Sequence, residues 1–327
     1  MVFLGRLKGP LMPKLRRKVL EYASALPGDG KAPEKDLLGR FREIVSDPLN
    51  LLIERHPRAG MVEHGLVWLH NGNRVPAEGE YAYYGHFSDV LVFNRGVHEP
   101  LEEYVFQEVL RIMPEEPTML ELGAYWAHYS MWMKLRRPRS RIFMVEPDAK
   151  RLETGRMNFA RNGYEGSFVQ ASVGKGQFEV DRFMSKQGHP RLNILHSDIQ
   201  GFEIKMLDGA ADSFRSGLID HVFVSTHSQS LHDKVEAKLN AVGMRVEVSS
   251  EFDFGTTSND GFVFASRPAL APVFPGFSPL GRRDILLSNP EKLVSYVTSL
   301  QNLRELPPDS SVPVCAHLIA QAEDWPE

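Results

Sequence analysis

The chain has 327 residues and a formal net charge of -4, and 42% of its residues are hydrophobic. These values are ordinary for a globular protein, and the acidic balance argues against a partner such as nucleic acid, which is bound through bulk positive charge. The single cysteine, Cys315, excludes an intramolecular disulfide and an all-cysteine metal site. No apolar run reaches the roughly 18 residues of a membrane span. We therefore expect a cytoplasmic protein.

The first 95 residues are predicted to form an α+β cap. Their first 20 residues hold six basic side chains and no acidic one. After Pro13, apolar residues recur at helical spacing, at Leu15, Val19, Tyr22 and Leu26. This basic amphipathic helix either docks on its own domain or contacts an anionic membrane surface, and both alternatives stay open.

The rest of the cap mixes helix and strand patterns. A second helix is predicted at 37–52. Apolar alternation with a period of two from Met61 to His70, before an Asn-Gly-Asn turn at 71–73, predicts a hairpin. Residues 81–87 and 90–93 are predicted to be irregular or extended, and a helical pattern resumes over 100–110.

Residues 96–267 are predicted to form the main domain. Strand and helix patterns alternate there, which predicts an α/β fold with a doubly wound, mostly parallel sheet of seven strands. The strands are expected at 119–122, 142–145, 168–171, 192–195, 221–224, 245–248 and 261–265, and the helices at 127–135, 148–162, 202–207 and 231–242. Residues 268–327 begin proline-rich and are predicted to be an appendage with one helix near 291–303.

The first two strands of this domain indicate a nucleoside site. An apolar strand from Met119 is followed by a turn at Gly123 and a helix, and the next strand ends on Glu146. Ligands of open parallel sheets bind beyond the carboxyl ends of the strands. Glu146 is therefore placed to accept hydrogen bonds from the hydroxyls of a ribose.

Two nucleoside cofactors compete for this turn. A nicotinamide dinucleotide requires G-x-G-x-x-G, but Gly123 is followed by Ala-Tyr-Trp-Ala-His. S-adenosylmethionine has no phosphate, so it needs close approach only near the first glycine, and Glu121 suits its amino acid end. The pattern favours S-adenosylmethionine. A buried βαβ unit in which Gly123 only ends a strand is the remaining alternative.

Two later strand ends carry polar side chains. Asp198 ends the fourth strand, where it can orient a hydroxyl, accept a proton, join a metal site or cap a helix. His227 ends the fifth strand and is predicted to be the general base, because its ordinary pKa near 6.5 lets it take up a proton at neutral pH. His232 adds a further nitrogen, but no spacing here is diagnostic of zinc. A divalent metal is therefore considered without being assigned.

Six blocks of this domain resemble, in order and spacing, the FkbM-like S-adenosylmethionine-dependent methyltransferases. The blocks are Glu121-Leu-Gly-Ala, Val145-Glu-Pro-Asp, Gln170-Ala-Ser-Val-Gly, Asp198-Ile-Gln-Gly-Phe-Glu, Ser225-Thr-His-Ser and Asp260-Gly-Phe. The resemblance covers about residues 96–267 and implies a Rossmann-like class I methyltransferase fold. It also implies methylation of a hydroxyl oxygen on a sugar, glycan or natural product.

The chain departs from the family pattern at two motifs. The family has D-x-G-A-N-x-G at the first, and we assign Glu121 to the aspartate position, Trp126 to the asparagine and His128 to the glycine. Gln200 replaces the glutamate of D-V-E-G. These departures support a second hypothesis, a binding or scaffold protein that keeps the fold without turnover, and a nicotinamide oxidoreductase is the third.

Roles follow from the resemblance together with the strand ends. Glu146 is assigned to the ribose, and His227 to the base, with Asp198 orienting it or the acceptor. The methionine end is assigned to Glu121, Gly123 and Ala124, and an aromatic face near the sulfonium to Tyr125. The adenine is assigned to Gln170, Ala171 and Ser172, and the acceptor to Gln200, Glu203 and His232. Asp198 is also counted among the residues that bind the cofactor. The acceptor itself and the oligomeric state are not predicted.

Overall fold

The computed structural model describes residues 37–188 and 191–303. The predicted helix after Pro13 and Cys315 lie outside these residues. The chain divides into two compact units, one ending at Ser288 and one beginning at Asn289. The predicted boundaries at 95/96 and 267/268 stay predictions.

The described residues of the first unit contain ten strands. They are β1 (Val62–Glu63), β2 (Leu66–Trp68), β3 (Arg74–Pro76), β4 (Thr118–Leu122), β5 (Arg141–Val145), β6 (Ser167–Val169), β7 (Leu192–Ser197), β8 (Ile219–Thr226), β9 (Arg245–Ser250) and β10 (Gly261–Ser266). The α-helices of this unit are Leu37–Ser46, Asp89–Phe93, Pro100–Ile112, His128–Arg136, Ala149–Arg161, Val180–Gln187, Glu203–Asp208, Ala211–Arg215, Gln229–Ala241 and Arg282–Leu287. Short 3-10 helices occupy Pro48–Leu51 and Gly85–Ser88.

The main sheet confirms the predicted architecture. Its strand order is β6-β5-β4-β7-β8-β10-β9. The first five strands are parallel, and β10 runs antiparallel to both of its neighbours. Every residue of β4 and of β8 is buried, as expected for central strands covered on both faces.

The small N-terminal sheet confirms the hairpin and corrects its length. β2 and β3 pair around the predicted turn, with Trp68 opposite Arg74. The preceding alternation does not form one strand, because His64 and Gly65 both have positive φ, 51° and 76°, and turn the chain between β1 and β2.

Two further predictions in the cap are wrong in part. The predicted helix at 37–52 ends at Ser46, since Asp47 accepts a hydrogen bond from Leu49 N and starts a separate turn at Pro48. Residues 90–93 belong to the helix Asp89–Phe93 and are not extended. A short apolar run does not distinguish strand from helix.

All four helices predicted between the strands of the main domain are present, and three short helices were missed. The missed helices are Val180–Gln187, Ala211–Arg215 and Arg282–Leu287. The first buries only Val180, Phe183 and Met184, which is too short a stripe to give a helical period over a usual window. No described helix is both long enough and apolar enough to cross a membrane.

The described part of the second unit is one helix, Pro290–Leu303. It confirms the helix predicted near 291–303. Val297 and Leu300 are its buried apolar residues.

Candidate active site

A cavity of about 220 Å³ lies at the carboxyl edge of the main sheet. It is bordered by the ends of β4, β5 and β7, so the strand ends that carry Gly123, Glu146 and Asp198 meet there, whereas His227, at the end of β8, does not line the cavity. The lining residues are Tyr84, Gly123, Tyr125, Val145, Glu146, Pro147, Arg151, Ser172, Val173, Asp198, Ile199, Gln200 and Phe202.

Glu146 lies on the cavity wall in a fixed orientation. One carboxylate oxygen accepts a hydrogen bond from Tyr125 N at 3.3 Å, and the other accepts one from Asp148 N at 3.0 Å. Burial raises the pKa of this carboxyl, and the two backbone donors oppose that shift. Each oxygen has further acceptor capacity, so Glu146 is able to accept hydrogen bonds from two neighbouring hydroxyls.

Gly123 is required by the packing of two strand ends. Its φ is 76°, and a Cβ at this position would lie 1.8 Å from the carbonyl oxygen of Asp198. Asp198 N also donates a hydrogen bond to Leu122 O at 2.9 Å. The end of β4 and the end of β7 therefore touch through backbone, and no side chain fits between them.

The turn after Gly123 is strained. Tyr125 and Ala127 have φ values of 37° and 62°, and a non-glycine residue held in such a region costs about 1–3 kcal/mol. Our assignment of the family's asparagine and glycine positions to Trp126 and His128 is wrong by one residue. Counted from Glu121, these positions fall on Tyr125 and Ala127, which are the two residues with left-handed backbone.

The remaining residues assigned to the cofactor divide into two groups. Ser172 lies on the cavity wall. Glu121 and Ala124 are buried away from that wall, and burial raises the pKa of Glu121 to about 7. Gln170 and Ala171 also lie off the wall, and the Gln170 amide donates to Pro147 O at 3.3 Å.

A cluster of four ionisable side chains, the edge cluster, continues the site from the cavity along the carboxyl edge. It consists of Asp198, Glu203, His227 and Asp260. His227 Nδ1 lies 2.8 Å from Glu203 Oε1, and its Nε2 lies 3.1 Å from Asp198 Oδ1 and 3.7 Å from Asp260 Oδ1. The imidazole is therefore surrounded by three carboxylates.

These partners change the protonation expected for His227. Burial lowers its pKa, but the nearby carboxylates of Asp198, Glu203 and Asp260 outweigh burial and raise the pKa to about 10. At neutral pH the ring is an imidazolium, so the premise of an ordinary pKa near 6.5 is wrong, and the ring has no free lone pair with which to act as a base.

Asp260 has a pKa near neutrality. Burial and the charge of Asp198 raise its pKa to about 7, while the charge of His227 opposes the increase. Asp260 was assigned no role from the sequence, although it lies in one of the six blocks that resemble the family. Its position depends on the direction of the strand that follows it. Because β10 is antiparallel to β8, its first residue, Gly261, pairs with Thr226 at the carboxyl edge of the sheet.

The three residues assigned to the acceptor separate in the structure. Gln200 is exposed and lines the cavity, with a φ of 51°. Glu203 is fully buried, accepts a hydrogen bond from Gly201 N and holds His227. His232 is buried between Thr226 and Ser249, at 3.0 and 2.9 Å. We therefore correct the roles of Glu203 and His232, because neither is open to an acceptor here.

Asp198, His227 and Asp260 are also able to hold a metal ion. One ligand atom from each lies within 4.8 Å of the others. Imidazole nitrogen and carboxylate oxygen suit zinc and other divalent transition metals. Such an ion would bind the neutral ring and displace its proton.

No family model matches the chain, and no curated protein matches it. Among similar solved structures, the precorrin-6y C5,15-methyltransferase of Geobacter metallireducens GS-15 is 17% identical, covers 50% of this chain and 86% of its own, and has a TM-score of 0.38. TrmK of M. capricolum, solved with S-adenosyl-homocysteine, is 10% identical, with coverages of 67% and 92% and a TM-score of 0.38. A SAM dependent methyltransferase of Agrobacterium tumefaciens is 12% identical, with coverages of 65% and 73% and a TM-score of 0.41.

TM-scores of 0.38–0.41 are too low to assign a fold from structural similarity. The fold is therefore assigned from this chain's own topology. Counted from β4, the strand order is 3-2-1-4-5-7-6, and the seventh strand is antiparallel. This is the order of the Rossmann-like class I methyltransferase fold, as predicted. The resemblance to the FkbM-like family in particular stays a prediction.

Proposed function

We propose that this protein is an S-adenosylmethionine-dependent methyltransferase that methylates a hydroxyl group. One observation carries the proposal. In a sheet of class I methyltransferase order, Glu146 and Asp198 line the same cavity, and Asp260, a carboxyl with a pKa near 7, lies next to Asp198. A cofactor site and a proton acceptor thus occur side by side at the edge where such folds bind ligands.

The residues on the wall have distinct roles in this proposal. Glu146 binds the ribose hydroxyls, Ser172 lies on the adenine side, and the backbone at Gly123 meets the methionine end. The guanidinium of Arg151 lies 5.3 Å from the centre of the Tyr125 ring, which supports that ring as part of the wall. Glu121, being buried behind the wall, supports the strand end and does not contact the cofactor.

Cofactor binding requires the cavity to widen. Its 220 Å³ is less than the roughly 300–1,000 Å³ of typical ligand pockets. Tyr84 reaches the cavity from the cap, lies 5.1 Å from Tyr125 between ring centres, and is 41% exposed. Because one side of this ring faces solvent, we propose that Tyr84 moves outward when the cofactor enters.

The edge cluster supplies the proton transfer. In the reaction the sulfonium C–S bond breaks, its electron pair stays on sulfur, and the acceptor oxygen bonds to the methyl carbon. Asp260 takes up the hydroxyl proton, and Asp198 orients the hydroxyl for in-line attack. His227 remains an imidazolium that holds both carboxylates in place, and the buried Glu203 positions its ring.

A sugar, glycan or natural product is the proposed class of acceptor. Support comes from the resemblance to the FkbM-like family and from the rim, where Gln200 and Phe202 are both exposed. An amide beside an apolar ring suits a hydroxyl-bearing acceptor with apolar faces. The cap and the loops set the choice among such acceptors.

Calorimetry with S-adenosylmethionine tests the cofactor assignment. We expect binding by the wild type and a loss of at least about tenfold in Glu146→Ala, since a buried acceptor with two fixed donors is removed. Glu153→Ala is the matched control, because Glu153 is exposed on the helix that follows and should bind normally. A wild type with no affinity for the cofactor or its demethylated product would refute the proposal.

The scaffold hypothesis is the second candidate, and the strained turn with its narrow cavity favours it. Tight cofactor binding without methyl transfer to any member of a broad panel of sugars and phenols would support that reading. A nicotinamide oxidoreductase is the third, and a fluorescence titration with NADH tests it directly.

A further inference from the structure

A second group of ionisable side chains lies inside the protein, away from the cavity. We call His70, Glu103 and His128 the interior cluster. They come from the loop between β2 and β3, from the helix Pro100–Ile112 and from the first turn of the helix His128–Arg136. All three are fully buried, and the proposed methyl transfer uses none of them.

The ligand atoms of the interior cluster converge. One nitrogen from each histidine and one oxygen of Glu103 lie within 4.8 Å of one another. His70 Nε2 is 2.9 Å from Glu103 Oε2, and His128 Nε2 is 3.8 Å from Glu103 Oε1. Tetrahedral ligands at bond lengths of about 2.0–2.2 Å lie roughly 3.3–3.6 Å apart, so small movements of these side chains bring one atom of each onto a single ion.

Glu103 is held so that one oxygen is satisfied and the other is not. Oε1 accepts hydrogen bonds from the backbone N–H groups of His98 and Glu99, at 2.9 and 3.1 Å, and lies 2.5 Å from His98 Nδ1. Oε2 has no hydrogen-bond partner. The carboxylate is thus fixed through Oε1, and Oε2 is presented to His70.

His70 has the orientation typical of a metal ligand. Its Nδ1 lies 3.4 Å from the carbonyl oxygen of Glu54, which only accepts, so Nδ1 carries the hydrogen. The other nitrogen, Nε2, faces Glu103 Oε2 but is not aligned with it as a hydrogen bond. Metal-binding histidines are held in the same way, with the distal N–H on a carbonyl or carboxylate.

His128 provides the independent observation. Neither of its ring nitrogens has a hydrogen-bond partner, although the side chain is fully buried. Its ring stacks on Trp126 at 4.9 Å between centres, with the planes 13° apart. A buried polar atom without a partner costs about 1–3 kcal/mol, and an ion bound at Nε2 removes that cost for this nitrogen.

We propose that His70, Glu103 and His128 bind a divalent transition-metal ion, with zinc as the best fit. Two imidazoles and one carboxylate form a donor set that zinc uses, and zinc imposes no geometric preference of its own. The ion would cross-link the N-terminal sheet, the helix Pro100–Ile112 and the turn that ends in His128. That turn holds the strained Tyr125 and Ala127, so the ion would also brace the wall of the cavity.

Burial determines how the ion has to be loaded. Since no ligand side chain reaches solvent, the ion enters as the chain folds and exchanges slowly afterwards. The experiment therefore starts from protein without an affinity tag, unfolded in denaturant with a chelator. It is refolded with or without one equivalent of zinc sulfate, passed through a gel-filtration column, and analysed for metal by mass spectrometry and for Tm.

We expect wild-type protein refolded with zinc to carry one ion per chain and to melt at a higher temperature than protein refolded without it. His128→Gln and Glu103→Gln should bind zinc at least about 10–100-fold more weakly. His64→Asn is the matched control, since it changes an exposed histidine of the same sheet to a residue that tolerates its positive φ. Asp260→Asn is the second control and should keep the ion.

Two results would overturn the proposal. One is wild-type protein that refolds to the same Tm with and without zinc and retains no metal. The other is retention of the full equivalent by His128→Gln together with its loss in Asp260→Asn, which would place the ion in the edge cluster. If the His128 and Glu103 variants fail to fold, the wild type and Asp260→Asn decide the question, since an ion in the interior cluster is retained by both.

Discussion

The edge cluster and the interior cluster use the same side-chain types in two different environments. The side chains of His227 and Asp198 are 19% and 37% exposed, whereas those of His70 and Glu103 are both 0% exposed. Water at the edge can solvate a changing charge, so a group there can gain or lose a proton in each turnover. In the interior each charge needs a fixed partner, because nothing else compensates for its desolvation.

Asp260→Asn gives the largest expected effect on activity. Loss of a positioned general base lowers kcat/KM by about 10²–10⁴-fold. Stability should change by less than about 1 kcal/mol, because the site is partly open. Product formation from labelled cofactor measures kcat/KM, and urea unfolding measures stability. Asp253→Asn, on an exposed loop position, should keep normal activity; equal losses in both variants would remove Asp260 from its role.

Glu103→Gln, in the interior cluster, is expected to lower stability rather than activity. His98, whose pKa the carboxylates of Glu103 and Glu99 raise to about 10, loses a charged partner, and breaking a buried ion pair costs about 3–5 kcal/mol. Urea unfolding of the metal-free protein measures this cost apart from any ion. A change of less than about 1 kcal/mol would mean that His98 does not depend on the charge of Glu103.

The pH dependence of activity is the smallest effect and the most specific to the edge. The proposed base works when ionised, so kcat/KM should rise with pH through about 7, the pKa of Asp260. The charge of His227 lowers that pKa, so His227→Gln should move the rising limb to higher pH. His64→Asn should leave the midpoint unchanged. A limb that moves to lower pH would contradict the assigned charge of His227.

Much of the fold was predictable, because apolar strands between helices are visible in one sequence. All seven strands of the main sheet were predicted, and each overlaps its observed range. The short helix Val180–Gln187 was missed because it buries only one turn of apolar residues. Residues 90–93 were misread because a run of four apolar residues fits either a strand or a helix.

The site was predictable only where the chain direction was known. Glu146, Asp198 and His227 follow parallel strands, so their common edge could be inferred. Asp260 precedes an antiparallel strand, and its position depends on a reversal that no local pattern shows. Burial was equally hidden: Glu203 and His232 are polar residues near strand ends, yet both are enclosed. His70, Glu103 and His128 lie on three separate segments that only tertiary packing brings together.

The contact between Gly123 and the Asp198 carbonyl has a consequence for engineering. Since the two strand ends meet through backbone, a library that randomises position 123 should return only glycine among active clones. Attempts to change the acceptor are better directed at Tyr84, Gln200 and Phe202. These residues border the cavity but do not take part in the backbone contact between Gly123 and Asp198. Substitutions at these rim positions can then be selected for new products while the sheet beneath them stays intact.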